Sequence, residues 1–166
     1  MSDSRSQNNK EVGMVSERKF HVLVVDNEED MVSRTIAMLE RLGYTAEGEA
    51  GSLAGLRTFS QDPDKFDIAM VEPAMAEQKG SELAALGSMR RGFPVTGELT
   101  GVELAVRFRR IRRDFPVVLN TRYIKASLAE EIKAAGLAKA ISKPLGLKEL
   151  DKAVIEGLYP RFPHVR

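Results

Sequence analysis

Four short apolar runs in this chain each stop at a polar residue suited to phosphoryl or metal chemistry. His21-Val22-Leu23-Val24-Val25 runs into Asp26-Asn27-Glu28, and Asp67-Ile68-Ala69-Met70-Val71 runs into Glu72. Pro116-Val117-Val118-Leu119 leads to Asn120-Thr121, and Ala138-Lys139-Ala140-Ile141-Ser142 leads to Lys143-Pro144. Continuous apolar runs of this length read as strands buried on both faces of a parallel sheet. Parallel strands deliver their carboxyl ends to one edge, and open α/β sheets bind ligands there. An acid pair, a second carboxylate, a hydroxyl and an ammonium would therefore meet in one crevice. By composition it is a phosphate or metal site.

The elements that must position these residues follow from periodicity and turn chemistry. Strand one is His21 to Val25. Met31, Thr35, Met38, Leu39 and Leu42 then keep helical spacing, and Gly43 suits the residue just past a helix end. Tyr44 to Ala50 reads as an edge strand. Ser52 is placed to cap a helix carrying Leu53, Leu56 and Phe59, which stops before Asp62-Pro63. Strand three is Asp67 to Val71 and strand four Val117 to Leu119. A helix from about Ser127 to Ala135 ends at Gly136, and strand five is Leu137 to Ile141. A last helix carries Leu147, Leu150, Val154 and Leu158 on one face. Strands alternating with helices predict a doubly wound α/β sheet.

One stretch breaks the simple count. Gly80-Ser81-Glu82-Leu83-Ala84 followed by Arg90-Arg91-Gly92-Phe93-Pro94-Val95 reappears as Gly101-Val102-Glu103-Leu104-Ala105 followed by Arg112-Arg113-Asp114-Phe115-Pro116-Val117. The collinear matches, offset by 21 or 22 residues, read as a tandem duplication of one helix and the start of the next strand. The second copy is the better core helix, with Leu104, Phe108 and Ile111 at 3.6-residue spacing. The first copy contains Gly87, Ser88 and Gly92 and has weaker helix propensity.

The chain has 166 residues, enough for one domain with a full core. Its 25 basic and 24 acidic residues nearly balance, so no global field favours nucleic acid or membrane. It has no cysteine, which excludes a disulfide scaffold, a thiol nucleophile and a thiolate zinc site. The first 19 residues are mostly polar and lack the apolar core of a signal peptide. No run approaches the ~20 apolar residues of a membrane span. The default is a soluble, cytoplasmic protein.

Taken in order, these pieces resemble the receiver domain of the bacterial two-component response-regulator family. The resemblance rests on His21 to Asp30, the Phe66-Asp67 lead into strand three, Thr100-Gly101-Val102-Glu103-Leu104-Ala105, and Lys143-Pro144 before a helix. It implies a flavodoxin-like, five-stranded parallel sheet in the order 2-1-3-4-5, with an extra segment between strand 3 and helix 3. The domain would cover residues 20–157, with the insert at 76–99, a disordered tail at 1–19 and a C-terminal tail at 158–166. It also implies a cis Lys143–Pro144 bond. By the same resemblance Glu72 holds the phosphoacceptor position. Asp26 and Asn27 hold the metal-binding acid pair, Thr121 and Lys143 the phosphate contacts, and Ala140 the switch position.

Three of those positions, and Arg122 just after Thr121, depart from the family pattern. Glu72 replaces the usual aspartate, and its extra methylene pushes the carboxylate into the space for phosphate and metal. A misplacement on the order of 1 Å can cost ~100-fold in rate. Asn27 offers a metal a neutral carbonyl and no charge, so Mg²⁺ at Asp26, Asn27 and Glu72 is expected to be weak or lost. Glu28 either compensates or serves as an acid at the start of the next helix. Arg122 stands where the family has a small residue, and Ala140 replaces the aromatic that couples the site to the outer face. Lys143 is expected to pair with Glu72 or Asp26.

These features predict a non-enzymatic, degenerate receiver acting by phosphorylation-independent protein–protein interaction. Its partners would be signalling proteins such as a histidine kinase or a downstream target, with a homodimer left open. One alternative is a working phosphoacceptor using Glu72 with weak Mg²⁺. Another is a nucleic-acid or acidic-partner adaptor using Arg107, Arg109, Arg110, Arg112 and Arg113 on the helix at 101–113. A solvated helix face is the preferred reading of those arginines, because aromatic interleaving is missing apart from Phe108. His21 and His164 lack metal-ligand spacing.

Overall fold

The computed structural model describes residues 18–75, 99–122, 124, 126–137, 139–143 and 145–159. Most of the expected tails and of the duplicated insert lies outside the described residues. So does Pro144, and with it the expected cis bond.

Strands and helices alternate: β1 (His21–Asp26), α1 (Glu29–Arg41), β2 (Thr45–Ala50), α2 (Ser52–Gln61), β3 (Ile68–Val71), α3 (Gly101–Ile111), β4 (Val117–Thr121), α4 (Ala126–Ala134), β5 (Lys139–Ser142) and α5 (Leu147–Leu158). All five strands are parallel, in the order β2-β1-β3-β4-β5. The register sets Val25 beside Val71, Val71 beside Leu119, and Leu119 beside Ala140. This is the doubly wound order anticipated from the sequence.

Side chains alternate across a strand, so β1, β3 and β4 each feed two cores. Leu23, Val25, Ala69, Val71, Val117 and Leu119 face α2, α3 and α4. Val22, Val24, Ile68, Met70 and Val118 face α1 and α5. In the first core the ring of Phe59 lies 4.4 Å from that of Phe108 and 4.6 Å from that of Phe115. Phe66 and Phe115 precede β3 and β4, so this aromatic cluster sits toward the amino ends of the strands. The carboxyl ends are left for polar residues.

Several local expectations are corrected. The α2 N-cap is Gly51, and Ser52 is the first helical residue with no capping hydrogen bond; it is buried. Val32, not Met31, is the buried residue of the first turns of α1. Ile111, the last residue of α3, is 44% exposed, whereas Leu104 and Phe108 of the same stripe are buried. β4 runs on through Asn120 and Thr121, which hydrogen-bond to β5 as strand residues. Leu99 is buried in the core.

The arginine-rich segment is partly consumed by the fold. Nη1 of Arg112 donates to the carbonyls of Pro63 (3.1 Å) and Phe66 (2.5 Å). Arg109 donates from Nε to the Phe115 carbonyl at 3.2 Å and from Nη1 to the Gly136 carbonyl at 2.8 Å. These charge-assisted bonds tie down loops around the amino ends of β3, β4 and β5. Arg113 is exposed. Among the described residues no helix is long and apolar enough to cross a membrane.

The Tyr44 hydroxyl donates to Oδ1 of Asp151 at 2.6 Å, joining the α1–β2 turn to α5. Burial, then this hydrogen bond to the carboxylate, hold the phenol above its ordinary range. The unfolded chain therefore releases this proton first as pH rises past ~10, and stability falls there. Urea unfolding at a series of pH values should show the difference between wild type and Tyr44→Phe constant below about pH 9 and shrinking progressively as pH rises past about 10.

Candidate functional site

Strand alternation explains which polar residues meet. Asp26 continues the Val22-Val24 side of β1, Glu72 the Ile68-Met70 side beyond β3, and Lys143 the Ile141 side beyond β5. All three therefore emerge at the carboxyl edge on the side of α1 and α5. Lys143 starts two strands away from β3 and three from β1, and its four-carbon stem covers the gap. Its Nζ lies 2.5 Å from Asp26 Oδ2 and 2.9 Å from Glu72 Oε2. The side chains are only 5% (Lys143), 6% (Asp26) and 8% (Glu72) exposed.

The remaining carboxylate oxygens are also engaged. Asp26 Oδ1 accepts the Glu28 N–H and Glu72 Oε1 accepts the Ala74 N–H, both at 3.0 Å. Each of the four oxygens thus has a donor, as burial of charge requires. The backbone beneath is fixed as well: the Glu72 N–H donates to Val25 O at 2.9 Å and the Lys143 N–H to Thr121 O at 2.7 Å.

The start of α3 braces Glu72 from the other side. The Gly101 N–H donates to Pro73 O at 3.0 Å. A Cβ at Gly101 would stand 2.3 Å from the Glu72 carbonyl oxygen and 2.5 Å from Pro73 Cα, so only glycine allows this approach. Thr100 fixes the helix start with a full capping box. Its hydroxyl accepts the Glu103 N–H, and the Glu103 carboxylate accepts the Thr100 N–H.

The other expected site residues lie around this cluster. Thr121 is buried at the end of β4 and follows the Val117-Leu119 side, opposite in alternation to Lys143. Asn27 is half-buried. Ala140 is half-buried against the core beneath α2, α3 and α4, where it leaves no ring to move. Asn120 is buried, and its Oδ1 has no hydrogen-bond partner among the described residues, a feature for which the sequence offers no signal.

Glu28 stands at the start of α1, as expected of an acid there. Its backbone is the N-cap of α1, but its side chain makes no capping hydrogen bond. Instead Glu28 Oε1 and Oε2 accept from Arg122 Nη2 at 2.6 and 2.8 Å. The sequence hides this pair because 94 positions separate the two residues.

The donor set does not fit Mg²⁺. Among the described residues no three His, Cys, Asp or Glu side chains gather to hold a metal ion. A divalent cation shared by Asp26 and Glu72 would compete with the ammonium already between them. Asn27 would add no charge to offset that competition.

Searches against protein-family models and curated proteins return no match. Solved structures do match, and the fold they share with this chain is that of CheY-like response-regulator receiver domains. A receiver domain protein from Clostridium thermocellum aligns with a TM-score of 0.67 and 18% identity, covering 86% of this chain and 96% of that one. The CheY-like receiver domain of Methanospirillum hungatei gives 0.66 and 20% over the same shares. The chemotaxis response regulator CheY4 of Vibrio cholerae gives 0.63 and 23%, covering 85% of this chain and 100% of that one.

The site geometry ranks two substitutions. Lys143→Ala leaves two buried carboxylates facing each other without a cation, at a cost of about 3–5 kcal/mol. Glu72→Gln should cost less, because Asp26 still accepts from the ammonium. Thermal melts of the two variants check the order; equal melting of Lys143→Ala and wild type would mean that the cluster is solvated.

Proposed function

We propose that this chain is a receiver-like module of two-component signalling that works through protein–protein contact, independently of phosphorylation. The observation that carries the reading is the buried Lys143 ammonium held between Asp26 and Glu72. With Glu72 at the acceptor position, Asp26 and Asn27 at the metal positions, and Thr121 and Lys143 at the phosphate-contact positions, phosphoryl transfer needs a free carboxylate and a cation. Here each Glu72 oxygen accepts an N–H donor, and the nearest cation is lysine. Ala140 at the switch position argues further against a signal carried by an aromatic side chain. The partners in this reading are a kinase or a downstream signalling protein.

Two observations weigh against the alternatives. Glu72 as a working acceptor would have to give up the Lys143 pair before any phosphodonor could react. A nucleic-acid or acidic-partner surface on α3 loses Arg109 and Arg112, whose guanidinium groups hold backbone carbonyls.

Incubation with acetyl phosphate and Mg²⁺, followed by intact mass, should show no stable phosphoryl gain on the wild-type chain. A Mg²⁺-dependent gain abolished by Glu72→Gln would overturn the proposal. The double variant Glu72→Asp with Asn27→Asp should regain some acceptance, because it shortens the acceptor and returns a charge to the metal shell.

A further inference from the structure

β2 lies at one edge of the sheet, with β1 on its inner side and no strand on its outer side among the described residues. Two hydrogen bonds fix which of its backbone groups are used. The Thr45 N–H donates to Phe20 O at 3.0 Å, and the Gly51 N–H, one residue past the strand, donates to Asp26 O at 2.9 Å. In a parallel ladder the inward groups recur at every second residue, so Thr45, Glu47 and Glu49 turn their N–H and C=O toward β1. Ala46 and Gly48 turn theirs outward. An added strand would find two donors and two acceptors there.

The side chains follow the same alternation. Ala46 packs into the second core, and a side chain at Gly48 would run into Val32 and Ile36 of α1. The residues with outward backbone groups are therefore small, with no bulky side chain or proline to block a neighbour. Glu47 and Glu49 point to the opposite face, on the side of α2, and both are half-buried. Glu47 Oε1 accepts from the Lys65 ammonium. Glu49 Oε1 accepts from the Thr58 hydroxyl at 2.5 Å, and no ammonium or guanidinium group pairs with Glu49 among the described residues.

We propose that the outer edge of β2 is a docking surface for an extended peptide segment of a partner protein, with basic residues at alternate positions. The segment's backbone pairs with Ala46 and Gly48, and its basic side chains lie beside Glu47 and Glu49. Cross-strand pairs of opposite charge favour that partner. The same residues reject a second copy of this chain. Antiparallel pairing centred on Gly48 sets Glu47 opposite Glu49 of the second copy, and like charges there are unfavourable. The strand itself has none of the lysines or prolines that commonly close an edge to added strands. The proposal goes beyond the reading of the crevice and stands whether or not Glu72 accepts phosphate.

Amide NMR spectra of the isotopically labelled full chain test it, with a short end-blocked peptide alternating lysine and valine as the probe. The peptide should shift the Ala46 and Gly48 amides and slow their exchange with solvent at concentrations on the order of millimolar. The same peptide with glutamate for lysine, or with methylated backbone nitrogens, should leave both amides unmoved. Glu49→Gln keeps an acceptor for Thr58 and should weaken binding by roughly two- to fivefold. Raised salt should weaken it as well. The absence of a shift at Ala46 and Gly48 overturns the proposal, as does equal binding of the glutamate or methylated peptide. Shifts of the same amides with protein concentration alone overturn it too, because the occupant is then a second copy.

Discussion

Burying an ammonium between two carboxylates imposes a demand that the surrounding backbone has to meet. Desolvation of each charge costs several kcal/mol, and attraction repays this only if every lone pair finds a donor. The cluster of Lys143, Asp26 and Glu72 meets the condition with two side-chain contacts and the backbone N–H groups of Glu28 and Ala74. Those donors exist only because β1 and β3 both end in turns that fold back on their last carboxylate. The ends of β1, β3 and β5 are thereby joined through one nitrogen atom. Removing the lysine would leave two buried carboxylates without a cation.

The charge count gives the cluster its character. Two carboxylates and one ammonium leave one formal negative charge in the crevice. Glutamate in place of aspartate lengthens the reach of β3 toward the lysine. Asn27 adds no charge to the cluster.

Much of this was legible in the sequence, for a physical reason. The strands are buried on both faces and so appear as unbroken apolar runs, and the residues ending them mark the site directly. The meeting of Lys143 with Asp26 and Glu72 followed from strand order, which a parallel sheet with crossover helices severely limits. The less legible features depend on side chains crossing between elements. Glu28 looked like a helix-start acid because its position in the chain is right for one, yet its carboxylate turns outward to Arg122. Arg109 and Arg112 looked solvated because helical spacing says nothing about carbonyls in other loops. Ile111 fits the apolar stripe of α3, but periodicity does not show how far along the helix burial extends.

The close contact of Gly101 with Pro73 also bears on how much sequence the connection from β3 to α3 can hold. The chain leaves β3 at Pro73 and returns at Gly101 within hydrogen-bonding distance of the same residue. The sheet thus sees an excursion whose two ends already touch. The entropy of closing such an excursion grows only with the logarithm of its length, so two doublings cost roughly 1.2 kcal/mol. The β3–α3 junction is therefore a point where the fold tolerates added sequence at little thermodynamic expense. Sequence added at that junction is close to neutral for folding.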